Sequence, residues 1–213
     1  MTTSVPDEAT RLHEEGRRLG AAGKHAAALA MFDRAALLAP AWPYPPYDKA
    51  FTLLLMGKDA DALAAYQEVD ALAPRGFFTS KTAVWALQAE ARTRFPKGTY
   101  ASFLKLDWLP ASAARTAVDA FARGLPAWAP IYTKLAKHAD TPEHALALLD
   151  TGLALDCDVE TRGMLALNRA LVLRHLGKDA DADAALRELL ALPGVTQAAE
   201  VFAAQLLRGS GEG

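Results

Sequence analysis

From His25 to Leu38 the apolar residues Ala28, Met31, Phe32 and Ala35 recur every third and fourth position, which places them on one stripe of a helix. The same spacing predicts a first helix over Glu8 to Gly20, where the small residues Ala9 and Gly16 alternate with Leu12 and Leu19. Small side chains let a second helix approach closely, and the leucines fill the gaps between contacts. Further along, Phe77 to Arg94 carries Ala83, Val84, Leu87 and Ala91 on one face, and Ala111 to Arg123 carries Ala114, Val118 and Phe121. Pro126 to His138 and Pro142 to Leu155 predict a hairpin turned at Asp140-Thr141-Pro142, and Thr196 to Leu207 a terminal capping helix. No stretch alternates with period two over a strand's length, so the pattern predicts an all-α protein.

A short phrase punctuates these helices. It reads Gly23-Lys24-His25-Ala26-Ala27-Ala28 followed by Phe32, then Gly57-Lys58-Asp59-Ala60-Asp61-Ala62 followed by Tyr66. It returns as Gly177-Lys178-Asp179-Ala180-Asp181-Ala182 followed by Leu186. The first two copies lie 34 residues apart, as do the prolines that close them, Pro40 and Pro74. A fixed period of this length is the mark of stacked helical hairpins, each of which cannot bury its apolar face alone. Glycine suits the turn because it takes positive φ freely, and proline ends the second helix by forcing the preceding residue out of the α region. The step from Gly57 to Gly177 is 120 residues, not a multiple of 34, so an irregular insertion is expected between them. Pro96, Gly98 and Pro110 break the pattern there, and the pairing of helices between 95 and 140 stays open.

In these residues the chain resembles the tetratricopeptide repeat (TPR) family. Counted from Ala9, the residues Leu12, Gly16, Leu19, Ala28, Phe32, Ala35 and Pro40 fall at the family's signature places. Counted from Pro43, Ala50, Leu53, Ala62, Tyr66, Val69 and Pro74 do so, with Pro46 where a large residue is usual. Counted from Gly163, Ala170, Leu173, Gly177, Ala182, Leu186 and Leu189 do so, with Pro193 one place early. The resemblance implies a right-handed superhelical array of helical hairpins, a TPR-like solenoid with an irregular middle insertion and a C-terminal capping helix. It frames one domain over 7–208: repeats at about 9–42 and 43–76, a degenerate stretch at 77–160, a repeat at 163–195 and a cap at 196–208. Flexible tails are expected at 1–6 and 209–213.

Composition changes this picture little. Hydrophobic residues make up 52% of the 213 and charged ones 23%, ample for a core. A net charge of −2, with neither sign massed in one segment, points away from nucleic acid. Met1 to Glu15 has no apolar core for a signal peptide and no 18-residue apolar run follows, so a cytoplasmic protein without a membrane span is expected.

The resemblance also implies a binding face. In the family the first helix of each repeat lines a concave groove, and the matching positions here are His13 and Arg17, then Tyr44, Tyr47, Phe51 and Leu54, then Phe78, Lys81, Trp85 and Gln88. That set suits an apolar or aromatic segment anchored by a carboxylate. The carboxylate clamp of chaperone-binding members is not matched, since His13, Arg17, Asp48, Phe78 and Thr82 stand in its places. The stretch Ala41 to Asp48, with prolines at 43, 45 and 46, reads as a stiff inter-repeat turn with Trp42 packed beneath it.

Catalytic and metal signals are missing from the sequence. The five histidines form no His-Glu-x-x-His, and there is no phosphate-binding glycine loop or nucleophile elbow. Cys157 reads as a small packed residue, and Asp59 and Asp61 as solubilising charge and helix N-caps. The expectation is therefore no enzyme, no cofactor and no metal. The leading functional reading is an interaction scaffold that takes an unidentified protein or peptide in the aromatic groove. The alternative is a small-molecule or lipid site, with the 95–125 insertion closing a pocket lined by Tyr47, Phe51, Phe78, Trp85 and Trp108. A third reading is self-association through Val201, Phe202 and Leu206 near the C-terminus.

Overall fold

The computed structural model describes residues 5–209; residues 1–4 and 210–213, most of the two expected tails, lie outside the described residues. Among the described residues the chain is all-α, with no strand. It divides into two compact units, Met1–Ala101 and Ser102–Gly213.

The first unit contains α1 (Asp7–Ala21), α2 (His25–Leu38), α3 (Tyr44–Leu55), α4 (Asp59–Leu72) and α5 (Ser80–Ala91), and ends within α6 (Thr99–Lys105). From α1 to α5 each helix packs on the next in sequence, and α1 also touches α3. This is the neighbour-on-neighbour order of stacked hairpins. The second unit holds the rest of α6, a 3₁₀ turn at Leu106–Trp108, α7 (Ala111–Gly124), α8 (Ile131–Lys137), α9 (Pro142–Leu153), α10 (Val159–His175), α11 (Asp179–Leu190) and α12 (Gln197–Gly209). Its helices from α7 onward also pack in sequence order, with α10 reaching both α8 and α12.

The recurring Gly-Lys phrase builds the same turn three times. Gly23, Gly57 and Gly177 have φ of 74°, 72° and 70°. In each turn the lysine N–H reaches back five residues to a leucine carbonyl: Lys24 to Leu19 at 2.9 Å, Lys58 to Leu53 at 3.0 Å and Lys178 to Leu173 at 2.9 Å. The glycine N–H reaches back three residues, to Gly20, Leu54 and Arg174. This pair of bonds satisfies carbonyls that the end of a helix leaves open, and it needs a residue at positive φ. Behind each turn the alanine of the phrase (Ala28, Ala62, Ala182) is fully buried, and the larger residue four positions on (Phe32, Tyr66, Leu186) is buried with it. Ala64, on the other side of α4, is exposed, so the helical phase read from the sequence holds. The N-cap expectation for Asp59 and Asp61 does not hold. The caps of α4 and α11 are Lys58 and Lys178, without side-chain cap bonds, and Asp59 and Asp61 sit in the first turn of α4. There they favour the positive end of the helix dipole.

Two helices are shorter than the periodicity predicts by more than a turn, and α9 ends two residues early at Leu153. The helix expected over Phe77 to Arg94 runs only from Ser80 to Ala91. Phe78 has φ of 48° and Thr93 φ of 58°, and a residue in the left-handed region cannot continue a right-handed helix. The helix expected over Pro126 to His138 begins only at Ile131, because Pro126 and Pro130 flank linked turns in which Trp128 N–H bonds Leu125 and Ile131 N–H bonds Trp128. Trp128 is fully buried at this bend.

The start of α6 is held by a distant side chain. Glu90 on α5, 8% exposed, accepts hydrogen bonds from Gly98 N–H (2.7 Å) and Tyr100 N–H (2.6 Å). Its carboxyl is raised above the usual range because burial penalises the charged form more than these two bonds favour it. Nothing in local sequence marks Glu90 as a cap, since it lies eight residues before the first N–H it serves.

Candidate functional site

The prolines that open α3 decide how its aromatic residues are presented. Pro45 and Pro46 occupy the first turn, where a helix needs no N–H donor, and both are buried. Tyr44 and Tyr47, on either side of them, project along the same edge, one helical turn apart. Tyr44 is 40% exposed, and its ring lies 4.8 Å from Phe77 and 5.8 Å from Phe78 between centroids. Tyr47 lies 5.6 Å from Phe77 and 5.1 Å from Phe78. These pairs are edge-to-face or tilted, the arrangement that the ring quadrupole favours.

The row continues back to α1. Trp42 packs at 5.7 Å from Tyr44 and 4.9 Å from the His13 ring, and His13 also meets Phe32. His13 is only 5% exposed and hydrogen-bonds Asp48 Oδ2 on α3 through Nε2 at 2.8 Å. Arg17 Nε stands 3.7 Å from the same oxygen. On the inner side, the Tyr47 hydroxyl lies 3.1 Å from Thr79 Oγ1, which lies 3.3 Å from the Tyr100 hydroxyl. Beneath them Tyr66 is fully buried, with its hydroxyl outside hydrogen-bond reach of the described residues.

Phe78 is the outermost ring. It is 59% exposed and sits at φ of 48°, a backbone region that bulky residues avoid. The sequence frame had put Phe78 on the first helical turn of α5; it stands instead on the turn before that helix.

The remaining residues of the expected groove go elsewhere. Lys81 has a side chain only 15% exposed, and its Nζ bonds Asp70 Oδ1 on α4 at 2.6 Å, so its charge is matched within the protein. Trp85 is half-buried, 5.9 Å from the buried Phe95 ring and beneath the guanidinium of Arg94. Leu54 is buried with the core, while Phe51 and Gln88 are half-buried. The structure therefore brings His13, Tyr44, Tyr47 and Phe78 into one ring network, with Arg17 at its edge. Trp42, Asp48, Phe77 and Thr79 join it and were not among the residues expected from the sequence. Asp48 had one legible sign: it lies one turn after Tyr44 on the same helix.

Elsewhere, the Cys157 thiol is pushed up to about 11 by burial, which leaves little thiolate near neutral pH. On α12, Val201 and Phe202 are exposed, whereas Leu206 packs against the core. No helix among the described residues is long and apolar enough to cross a membrane.

No family model matches the sequence, and no curated protein does. Solved structures similar to the chain include a thermophilic TPR protein of Thermus thermophilus, at 21% identity over 94% of this chain and 99% of that one, with a TM-score of 0.40. MamA of Desulfovibrio magneticus RS-1 is similar at 15% identity over 99% of this chain and 100% of that one, with a TM-score of 0.42. YrrB, described as a TPR protein with an unusual peptide-binding site, is similar at 11% identity over 94% of this chain and 92% of that one, with a TM-score of 0.39. Two of these three are described as TPR proteins, the family that the repeats of this sequence resemble.

Proposed function

We propose that the protein is an interaction scaffold and that the aromatic row of its first unit receives an apolar or aromatic segment of a protein partner. The observation that carries this reading is the exposure of Tyr44 and Phe78 at the end of a continuous ring network, with Phe78 in a strained backbone conformation. A phenylalanine gains nothing for folding from standing in water, and positive φ at such a residue costs of order 1 kcal/mol. Large aromatic side chains held rigidly by their neighbours are the groups that contribute most at interfaces.

The charges refine the partner. Arg17 faces Asp48 and Lys81 is bonded to Asp70, so the two cations expected to anchor a carboxylate are already matched. The face therefore favours an uncharged segment, read through ring contacts, over an acidic one.

The test is capture from native lysate by the wild-type protein and by the Tyr44→Ser/Phe78→Ser double variant. Both rings are partly exposed, so the variant is expected to stay folded with a stability loss of about 1–2 kcal/mol from the lost ring contacts, and to lose the captured partners while folded. An identical captured set, at a temperature where both proteins are folded, would refute the reading. Trp85→Ala is the structural control: its ring packs on Phe95, so truncation is expected to lower stability by about 2–4 kcal/mol.

A further inference from the structure

Beneath the aromatic row runs a line of hydroxyls that starts from one buried carboxylate. Glu90 on α5 accepts from Gly98 N–H through Oε2 at 2.7 Å and from Tyr100 N–H through Oε1 at 2.6 Å, so each oxygen holds one donor. The Thr99 N–H and hydroxyl bond Pro96 O within the turn itself, whereas the two bonds to Glu90 tie that turn to α5. Tyr100 is thereby fixed at its main chain, and its side chain is fully buried with the ring 6.4 Å from that of Tyr66. A ring enclosed in this way has its hydroxyl placed by the backbone that carries it. That hydroxyl lies 3.3 Å from Thr79 Oγ1, which in turn lies 3.1 Å from the Tyr47 hydroxyl.

Thr79 matters because of its neighbour. It directly follows Phe78, whose φ of 48° is unfavourable for a bulky residue. Hydroxyl contacts on both sides of Thr79 hold that turn and offset its strain. The Tyr47 ring, reached by the same line, lies 5.1 Å from Phe78 and 5.6 Å from Phe77.

We infer that Glu90 is a positioning residue for the aromatic row: by fixing the start of α6 it places the Tyr100 hydroxyl against Thr79, and through Thr79 it holds Tyr47 and the Phe78 turn ready for a partner. The inference rests on the aromatic row being the binding face. It also makes the row sensitive to protonation at a residue outside it. A carboxylate accepts at both oxygens, whereas a neutral carboxyl presents a hydroxyl to one of the two N–H groups and loses that bond. The charged groups that face Glu90 are Asp59 on α4, which opposes its charge, and Lys97 in the turn before α6, which favours it; the two stand 3.5 Å apart. Burial is the largest influence, and Glu90 takes up its proton above the ordinary 4.5. The row is therefore held tightly above that raised value and loosens as pH falls through it.

The experiment follows the main-chain amide signals of the full chain by heteronuclear NMR as pH is lowered. The Gly98 and Tyr100 signals are expected to move with one midpoint above 4.5, and the Phe78 and Thr79 signals to share that midpoint. Glu90→Gln, which keeps the size of the side chain and one acceptor, is expected to remove this component at all four residues. Tyr100→Phe is expected to leave the Gly98 response intact and to remove most of it at Phe78 and Thr79, because the hydroxyl line is cut. Capture from lysate above the midpoint reads the consequence for binding. Glu90→Gln is expected to retain about fivefold less of the partners that Tyr44→Ser/Phe78→Ser loses, the cost of ordering one or two freed side chains. Three results would overturn the inference: Phe78 and Thr79 signals that stay still while Gly98 moves, a response undiminished in Tyr100→Phe, or full capture by Glu90→Gln of partners that the double variant loses. A double variant that loses no partner would instead refute the row as the binding face, and the amide signals would still decide whether Glu90 positions it.

Discussion

Gly16 and Gly20 lie one turn apart on α1, and the structure predicts opposite outcomes for the same substitution at the two. A Cβ at Gly16 would stand 2.5 Å from Phe32 Cε1, 2.8 Å from Cδ1 and 3.1 Å from Cζ. The two shortest of these contacts cannot persist, and Phe32 has little freedom to withdraw, being 2% exposed and packed against the His13 ring. At Gly20 the nearest atom to a new Cβ is Ala28 Cβ at 3.8 Å, an ordinary contact. Replacing glycine by alanine within a helix gains about 1 kcal/mol in propensity at either position. At Gly16 an overpacking cost of about 1–3 kcal/mol opposes that gain. Gly20→Ala is therefore expected to stabilise by about 0.5–1 kcal/mol and Gly16→Ala to destabilise by about 1–2 kcal/mol. For a unit of this size each kcal/mol corresponds to roughly 4–8 °C in melting temperature. Urea titrations followed by far-UV circular dichroism measure both changes. The cause is tested in a Phe32→Leu background, where the ring is gone and Gly16→Ala is expected to lose most of its penalty. Equal effects at Gly16 and Gly20, or an undiminished penalty in that background, would refute the close approach of α1 and α2 at Gly16.

Two further outcomes follow from buried polar groups. Tyr66→Phe removes a buried hydroxyl that no described residue satisfies, so it is expected to leave stability unchanged or raise it by up to about 1 kcal/mol; a loss of that size in urea titration would show that the hydroxyl is bonded. Glu90 has a folded-state carboxyl raised above the ordinary 4.5 chiefly by burial, so the folded state holds its proton more tightly than the unfolded state does. Its contribution is then complete below the ordinary value and declines as pH rises through the raised one. Measured against Glu90→Gln, wild-type stability is expected to fall as pH rises from the ordinary carboxylate value of 4.5 through the raised one. A rise relative to the variant over that window would contradict the sign.

Much of the fold was legible because its determinants are local. The three Gly-Lys turns need only a residue that accepts positive φ just past the preceding helix, whose last main-chain carbonyls then take the closing bonds, and all of this is written within about six residues. The buried alanines and the larger side chains four places after them follow from the 3.6-residue period, so α2 and α4 appear where the pattern places them. The N-terminal boundary of α5 moved because the backbone leaves the helical region at Phe78, and no propensity marks a phenylalanine for positive φ.

What only the tertiary structure decided is which polar groups meet. The sequence placed Arg17 and Lys81 on a binding face as available cations, because helical spacing reports direction but not partners. Folding brings Asp48 and Asp70 to them from the neighbouring helices α3 and α4. Glu90 caps α6 for the same reason: the N–H groups it serves come within reach only after the chain has doubled back. A repeat pattern carries the spacing of apolar side chains, since burial rewards that spacing in every hairpin. It does not carry the pairing of charges, because each pairing is fixed by one contact made once.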